Sequence, residues 1–137
     1  MLSQISVFTA NTKGALHQIT SLLAENDISL YTMLATDSAE FGIIRLIADQ
    51  PEKAKSILEA SGYQCRLDPI IAVDMRSDKP GALNRILADL TDANVMIRYL
   101  YISFDRETGS PIAIFNTTES ETEAFLKGKG YQLVDRF

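Results

Sequence analysis

A chain of 137 residues with 46% hydrophobic and 23% charged side chains is long enough to bury an ordinary core and too apolar to be disordered. Its formal charge of −5 and pI near 4.8 leave no general attraction for nucleic-acid phosphates. No apolar stretch reaches the ~18 residues of a membrane span, no basic-then-apolar leader opens the chain, and the single cysteine, Cys65, excludes an internal disulfide or a CxxC metal site. These features predict a cytoplasmic protein with no cofactor, no bound metal, and neither nucleic acid nor membrane as a partner.

Ile5 to Thr9 alternates at period two and predicts a strand. The turn Asn11-Thr12-Lys13-Gly14 offers Asn11 and Thr12 as N-caps for a helix with the apolar stripe Ala15, Leu16, Ile19, Leu22 and Leu23. Asn26-Asp27 ends that helix, because both residue types tolerate the left-handed conformation of a helix terminus. Residues 28–36 are β-branched, aromatic and aliphatic, and the polar turn at residues 37–40 leads to a returning strand, Gly42 to Ala48. Pro51 starts a short helix, Gly62 stops it, and Tyr63 to Leu67 reads as a closing strand.

The chain then repeats itself. Lys13-Gly14-Ala15-Leu16 returns 67 residues later as Pro80-Gly81-Ala82-Leu83, and Gly62-Tyr63-Gln64 returns 68 residues later as Gly130-Tyr131-Gln132. Without a gap, Ile19 matches Ile86, Leu23 matches Leu90, Ile28 matches Val95 and Leu30 matches Ile97; one inserted residue then pairs Ile44 with Ile112, Leu46 with Ile114 and Leu58 with Leu126. The first strands match, Ile5 to Ile71 and Val7 to Val73, with a slip of one residue. In the second copy a turn through Ser77, Asp78, Lys79 and Pro80 opens the helix, Asp92-Ala93-Asn94 ends it, and strands run from Val95 to Phe104 and from Ile112 to Thr117. Thr118-x-x-Glu121 offers a capping box for the last helix, and Tyr131 to Val134 closes the copy.

Each copy therefore reads strand, helix, strand, strand, helix, strand. The prediction is an α+β fold of two ferredoxin-like βαββαβ units with antiparallel sheets, residues 1–68 and 69–137, packed side by side. Both helices of such a unit lie on one face of the sheet. Yet the second strands are apolar on both faces: Ile28, Leu30 and Leu34 alternate with Tyr31, Met33 and Ala35, while Val95, Ile97, Tyr99 and Tyr101 alternate with Met96, Leu100 and Ile102. Either the open face is covered within one chain, or a homodimer or higher homo-oligomer covers it.

Asp78-Lys79-Pro80-Gly81-Ala82-Leu83 resembles the D-x-P-G-x-L turn of the ACT-domain family, and Asn94-Val95-Met96-Ile97 resembles its N-I-x-I segment. The first copy keeps Gly14-Ala15-Leu16 and Asp27-Ile28-Ser29-Leu30, with Asn11, Lys13 and Asp27 standing where the motif has aspartate, proline and asparagine. The resemblance spans nearly the whole chain. It implies a non-catalytic regulatory or sensor protein that binds a small amino acid at an ACT–ACT interface and acts on a regulated enzyme.

A helix N-terminus with its glycine suits a carboxylate, because backbone N–H groups there lack helical partners. The candidate anion side is Asn11, Thr12, Lys13, Gly14, Ala15 and Leu16 in the first copy, and Asp78, Lys79, Pro80, Gly81, Ala82 and Leu83 in the second. Asp27 and Asn94 are candidate acceptors for the ammonium group, and Phe41, Gly42 and Ile43 a candidate apolar wall. Asn11 with Lys13 leaves the first turn locally cationic, whereas Asp78 puts a negative charge close to any incoming carboxylate in the second, so the first is the preferred site. His17 reads as solvated, Cys65 as a small strand residue, and Arg45 as an ion-pair former. Two other functions compete. One is an interaction or scaffold subunit with a degenerate site; the other is a small enzyme on the same fold, disfavoured because no nucleophile–base pair or acid–base set recurs.

Overall fold

The structure, a computed structural model, describes residues 1–10, 12–37, 42–76 and 79–137. It contains two compact units: Ser3–Asp68, and Pro69–Phe137 together with Met1–Leu2. No helix among the described residues is long and apolar enough to cross a membrane.

In the first unit, β1 (Leu2–Thr9) leads through Gly14 into α1 (Ala15–Glu25), followed by β2 (Leu30–Thr36), β3 (Gly42–Ala48), α2 (Pro51–Ala60) and β4 (Gln64–Asp74). Its strands lie in the order β2, β3, β1, β4, with β3 antiparallel to both β2 and β1. The second unit takes over β4 at residue 69 and adds α3 (Ala82–Asp92), β5 (Tyr99–Phe104), β6 (Pro111–Asn116), α4 (Thr122–Gly128) and the short β7 (Gln132–Leu133). There β6 pairs antiparallel with β4 and β5, and β7 pairs antiparallel with β4. Both units thus have the βαββαβ order expected from the repeat. The closing strand of the first copy and the opening strand of the second are one uninterrupted strand.

Each helical layer packs on one sheet face. Ile19 and Leu23 of α1 and Leu58 of α2 bury against Ile5, Val7, Ile44 and Leu46. Ile86 and Leu90 of α3 and Leu126 of α4 bury against Ile71, Val73, Ala113 and Phe115. Burying one such leucine or isoleucine contributes about 1.5–3 kcal/mol, so these stripes dominate over helix propensity.

Three expectations change. Leu46 pairs with Ile5, and Phe115 with Ile71, the residue equivalent to Ile5. Leu46 therefore corresponds to Phe115 and Ile44 to Ala113, not to Ile114 and Ile112. A one-residue shift moves a strand side chain to the other face. Ile112 and Ile114 accordingly lie away from the helices, where they are nonetheless buried, as are Ile70 and Ala72. The exposed large apolar side chains sit elsewhere, among them Met33 on β2 and Ile102 and Phe104 on β5.

Second, the helix caps are backbone devices. Gly14 and Gly81, at φ of 82° and 94°, take the N-cap positions of α1 and α3 with no side-chain cap. Thr12 serves through its carbonyl, which accepts the Ala15 N–H at 3.2 Å; Asn11, Ser77 and Asp78 lie outside the described residues. Third, Thr118 and Glu121 do not form a capping box: α4 starts at Thr122 and its N-cap, Glu121, makes no side-chain cap bond. The helix ends follow expectation more closely, with Asp27 and Asn94 both at φ 58° in the left-handed region.

Candidate functional site

The register of the first sheet assembles the site. Thr9 faces Gly42 across β1 and β3, and Thr36 faces Ile43 across β2 and β3. The ends of three strands therefore meet at the edge from which α1 departs. Gly42 carries no side chain there. A Cβ at that position would lie 3.1 Å from the Thr36 carbonyl oxygen and 3.5 Å from that of Thr9, and the space it leaves lies beneath the first turn of α1.

The result is a cleft of about 480 Å³, within the ~300–1,000 Å³ usual for small-molecule sites. Three groups of residues line it. Thr12, Gly14, Ala15, Leu16 and His17 come from the helix start; Thr9, Ala10, Gly42 and Ile44 come from β1 and β3; Ala35, Thr36 and Asp37 come from the end of β2.

Its chemistry is asymmetric. On the helix side, Gln18 N–H makes the first i−4 bond, to the Gly14 carbonyl at 2.9 Å, so the Leu16 and His17 amides precede the regular ladder. These amides and the positive end of the α1 dipole are groups that suit an anion. Asp37, exposed at the end of β2, also lines the cleft, and a carboxylate there can accept from an ammonium group. The floor is Ala35, Gly42 and Ile44, and Leu16, 41% exposed, forms an apolar lip. The Thr36 hydroxyl is committed to the Ile43 carbonyl at 3.2 Å.

Of the residues singled out in sequence, Thr12, Gly14, Ala15, Leu16 and Gly42 therefore meet in one cleft. Lys13 is exposed beside it without lining it; Ile43 pairs with Phe8 and Thr36, one position out of phase with the floor residues Gly42 and Ile44. Asn11 and Phe41 lie outside the described residues. Asp27 follows the C-terminus of α1, 11 residues long and about 16 Å from its start, so one unit does not bring it to its own cleft. Asn94 stands likewise beyond α3, across from Pro80, Gly81, Ala82 and Leu83 at that helix's start. Asp78 lies outside the described residues. Sequence reasoning missed Thr9, Ala10, Ala35, Thr36, Asp37 and Ile44, and read as solvated His17, which lines the cleft. Only the strand register reveals them, although the hairpin turn beginning at Asp37 was legible.

Other titratable groups stand apart from this cleft. Burial, reinforced by the charge of Glu59 and opposed by Lys55, pushes the Cys65 thiol up, an unreactive setting. Gln4, Ser6 and Asp68 form a buried chain in which the Ser6 hydroxyl donates to Asp68 at 2.5 Å, and Arg66 donates to the same carboxylate at 2.7 Å. No group of three metal-ligating side chains lies together among the described residues.

A family model for an ACT domain pair matches residues 1–134. The chain belongs to that family. As an ACT domain pair it is similar in structure to a protein from Bacteroides thetaiotaomicron, with 26% identity, a TM-score of 0.85, and coverage of 97% of this chain and 91% of that one. It is also similar in fold to the ligand-free regulatory subunit of aspartate kinase from Thermus thermophilus, with 16% identity, a TM-score of 0.69, and coverage of 93% and 90%. The regulatory subunit of aspartate kinase from Thermus flavus gives 16% identity, a TM-score of 0.66, and coverage of 91% and 88%. No curated protein sequence matches this chain. The ACT pair thus has the ferredoxin-like α+β architecture and neighbours that are regulatory subunits.

Proposed function

We propose that this ACT pair is a non-catalytic regulatory protein, its two ACT domains spanning residues 1–68 and 69–137, that binds a small amino acid in the cleft of the first. The observation that carries the reading is the cleft itself, which the α1 start, Asp37 and the apolar residues Ala35, Gly42 and Ile44 line together. The ligand's carboxylate meets the Leu16 and His17 amides, its ammonium meets Asp37, and its side chain lies over Ala35, Gly42 and Ile44. The helix dipole contributes about 0.3–1 kcal/mol, whereas micromolar to millimolar binding needs about 4–8 kcal/mol. Hydrogen bonds and apolar burial supply the difference.

Such a protein works as a homodimer or higher homo-oligomer, and a second copy closes the cleft and brings acceptors such as Asp27 to it. Support comes from the edge strands: Met33 on β2 is 41% exposed, and Ile102 and Phe104 on β5 are 39% and 62% exposed. Occupancy reaches a regulated enzyme only if the ligand binds two assembly states with different affinities.

A thermal-shift screen against the standard amino acids, followed by calorimetry, tests the reading. A ligand at 100 times its dissociation constant adds about 2.7 kcal/mol of stability when it binds only the folded protein. Stabilisation by one small amino acid is expected. No stabilisation by any of them at millimolar concentration favours an interaction subunit with a degenerate site instead.

A further inference from the structure

The repeat builds the same place in the fold twice, with opposite relief. In the first unit, Ala35 of β2 pairs with Ile44 of β3, and with Gly42 they leave an apolar floor under the exposed lip Leu16. At the matching place in the second unit, Ile102 of β5 pairs with Ala113 of β6, and Phe104 with Pro111. Ala113 packs in the core with Ile86 and Leu90 of α3, so alternation puts Ile102 and Phe104 on the sheet face that carries α3. Pro111 and Ala113 are buried, whereas Ile102 is exposed and Phe104 is 62% exposed. Where one unit has a hollow, the other presents an apolar knob.

The knob stands at the base of a braced hairpin. Directly after Phe104, Asp105 N–H donates to the Ser110 carbonyl at 2.8 Å, and Gly109 N–H donates to the Asp105 carbonyl at 2.9 Å. The Asp105 carboxylate accepts the Glu107 and Thr108 N–H groups at 2.8 and 2.9 Å. A large apolar side chain on a preorganised turn gives up little further freedom when it is buried, which favours docking. Charge points the same way. The turn carries two carboxylates, Asp105 and Glu107, against one guanidinium, Arg106, while the cleft has the positive end of the α1 dipole with exposed Lys13 beside it.

We infer that Phe104 of a second copy seats in the cleft of the first unit, its ring over Ala35, Gly42 and Ile44 and its turn against the α1 start. The occupant is a second copy because the chain itself carries both complementary surfaces. In this contact Glu107 lies toward Lys13 and Arg106 toward Asp37, and a cleft of about 480 Å³ takes a phenyl ring. Knob and cleft belong to different units, so each copy gives one and receives one, in a reciprocal pair or head to tail. The regulatory consequence rests on the amino-acid reading above, although the contact itself does not. Ring and ligand claim the same floor, so the ligand binds only the state from which the ring has withdrawn, and the two assembly states differ in affinity.

The test is an NMR titration of isotope-labelled Phe104→Ser, whose cleft is intact and whose knob is gone, with the unlabelled parent chain. The readout is the Ala35, Gly42 and Ile44 amides. No ligand is added, so the outcome is independent of the thermal-shift screen and the two readings fail separately. The parent should shift these resonances saturably in the micromolar to millimolar range. Unlabelled Phe104→Ser, used as the titrant instead, should bind at least tenfold more weakly, the loss expected when one buried phenyl ring is removed. Phe104 is exposed, so the substitution leaves the core in place. The inference is overturned if millimolar parent shifts none of these amides, or if the shifts fall only on residues away from the cleft. Equal shifts from both titrants would also overturn it, by assigning the contact to another surface of the copy.

Discussion

The two units have one fold and unequal sites, and the inequality lies in which side chains stand at equivalent places. Beneath the first helix of the first unit, Ala35, Asp37, Gly42 and Ile44 leave an open cleft with a carboxylate at its rim. The sheet registers put Ile102, Phe104, Pro111 and Ala113 at the matching positions of the second unit. There a bulky apolar edge replaces the carboxylate and the bare glycine. The clefts beside the closing glycine–tyrosine turns show the opposite trend, lined by uncharged residues in the first unit and by Asp74, Arg76 and Arg85 among others in the second. The two copies share the residues that make cores and turns and differ in the residues that line their clefts, so the same backbone carries different side-chain chemistry in each unit.

That comparison can be broken most forcefully at the core. If Leu46 and Phe115 are true equivalents, Leu46→Ala and Phe115→Ala should each cost about 2–5 kcal/mol, read from urea unfolding. A loss below about 1 kcal/mol at either position would return the register to the gapped alignment that pairs Leu46 with Ile114.

A smaller effect on stability with a larger one on binding is expected at Gly42. Its Cβ would sit 3.1 Å from the Thr36 carbonyl and fill the cleft floor. Gly42→Val should therefore cost about 1–3 kcal/mol by overpacking and abolish amino-acid stabilisation in a thermal-shift assay. Full ligand response in this variant would remove Gly42 from the site.

The smallest expected effect concerns the two tyrosines. Tyr63 donates to neutral Gln18, whereas Tyr131 donates to the Asp89 carboxylate at 2.5 Å. Burial first, then the bond to Asp89 and its charge, push the Tyr131 phenol up to about 12. Because the folded value is raised above the ordinary one of about 10, this contribution to stability is complete below pH ~10 and is lost as pH rises through about 12. In an ultraviolet titration Tyr131 should ionise near 12, above the ordinary phenol value of about 10. Tyr131→Phe should cost about 1 kcal/mol at neutral pH, and ionisation of Tyr131 at the ordinary value would contradict the bond to Asp89 as its partner.

Much of the fold could be read from sequence because the repeat supplied independent copies of each signal: Ile19 with Ile86, Gly62 with Gly130, Asp27 with Asn94. The errors arose where local pattern cannot decide. Residues 112–115 are all apolar, so alternation gave no phase, and only pairing with β4 shows that Ala113 and Phe115 face the helices. The site was half legible. Gly14 and its neighbours announced a helix start, but Thr9, Ala35 and Asp37 join them through strand pairing, which links residues distant in sequence. Asp27 was attractive by type, yet a whole helix separates it from its own turn.

The central claim is that the first turn holds the ligand and the second does not. Gly14 and Gly81 have the same left-handed role, φ 82° and 94°, and a Cβ at either would meet no atom within 4 Å. Gly14→Val and Gly81→Val thus impose similar backbone strain, which makes them matched probes. Both variants and the parent should be titrated calorimetrically with the amino acid identified by the thermal screen, with NMR reading the Ala35 and Gly42 amides. Gly14→Val should lose the Ala35 and Gly42 response while Gly81→Val retains it. Loss in Gly81→Val with retention in Gly14→Val would contradict the account.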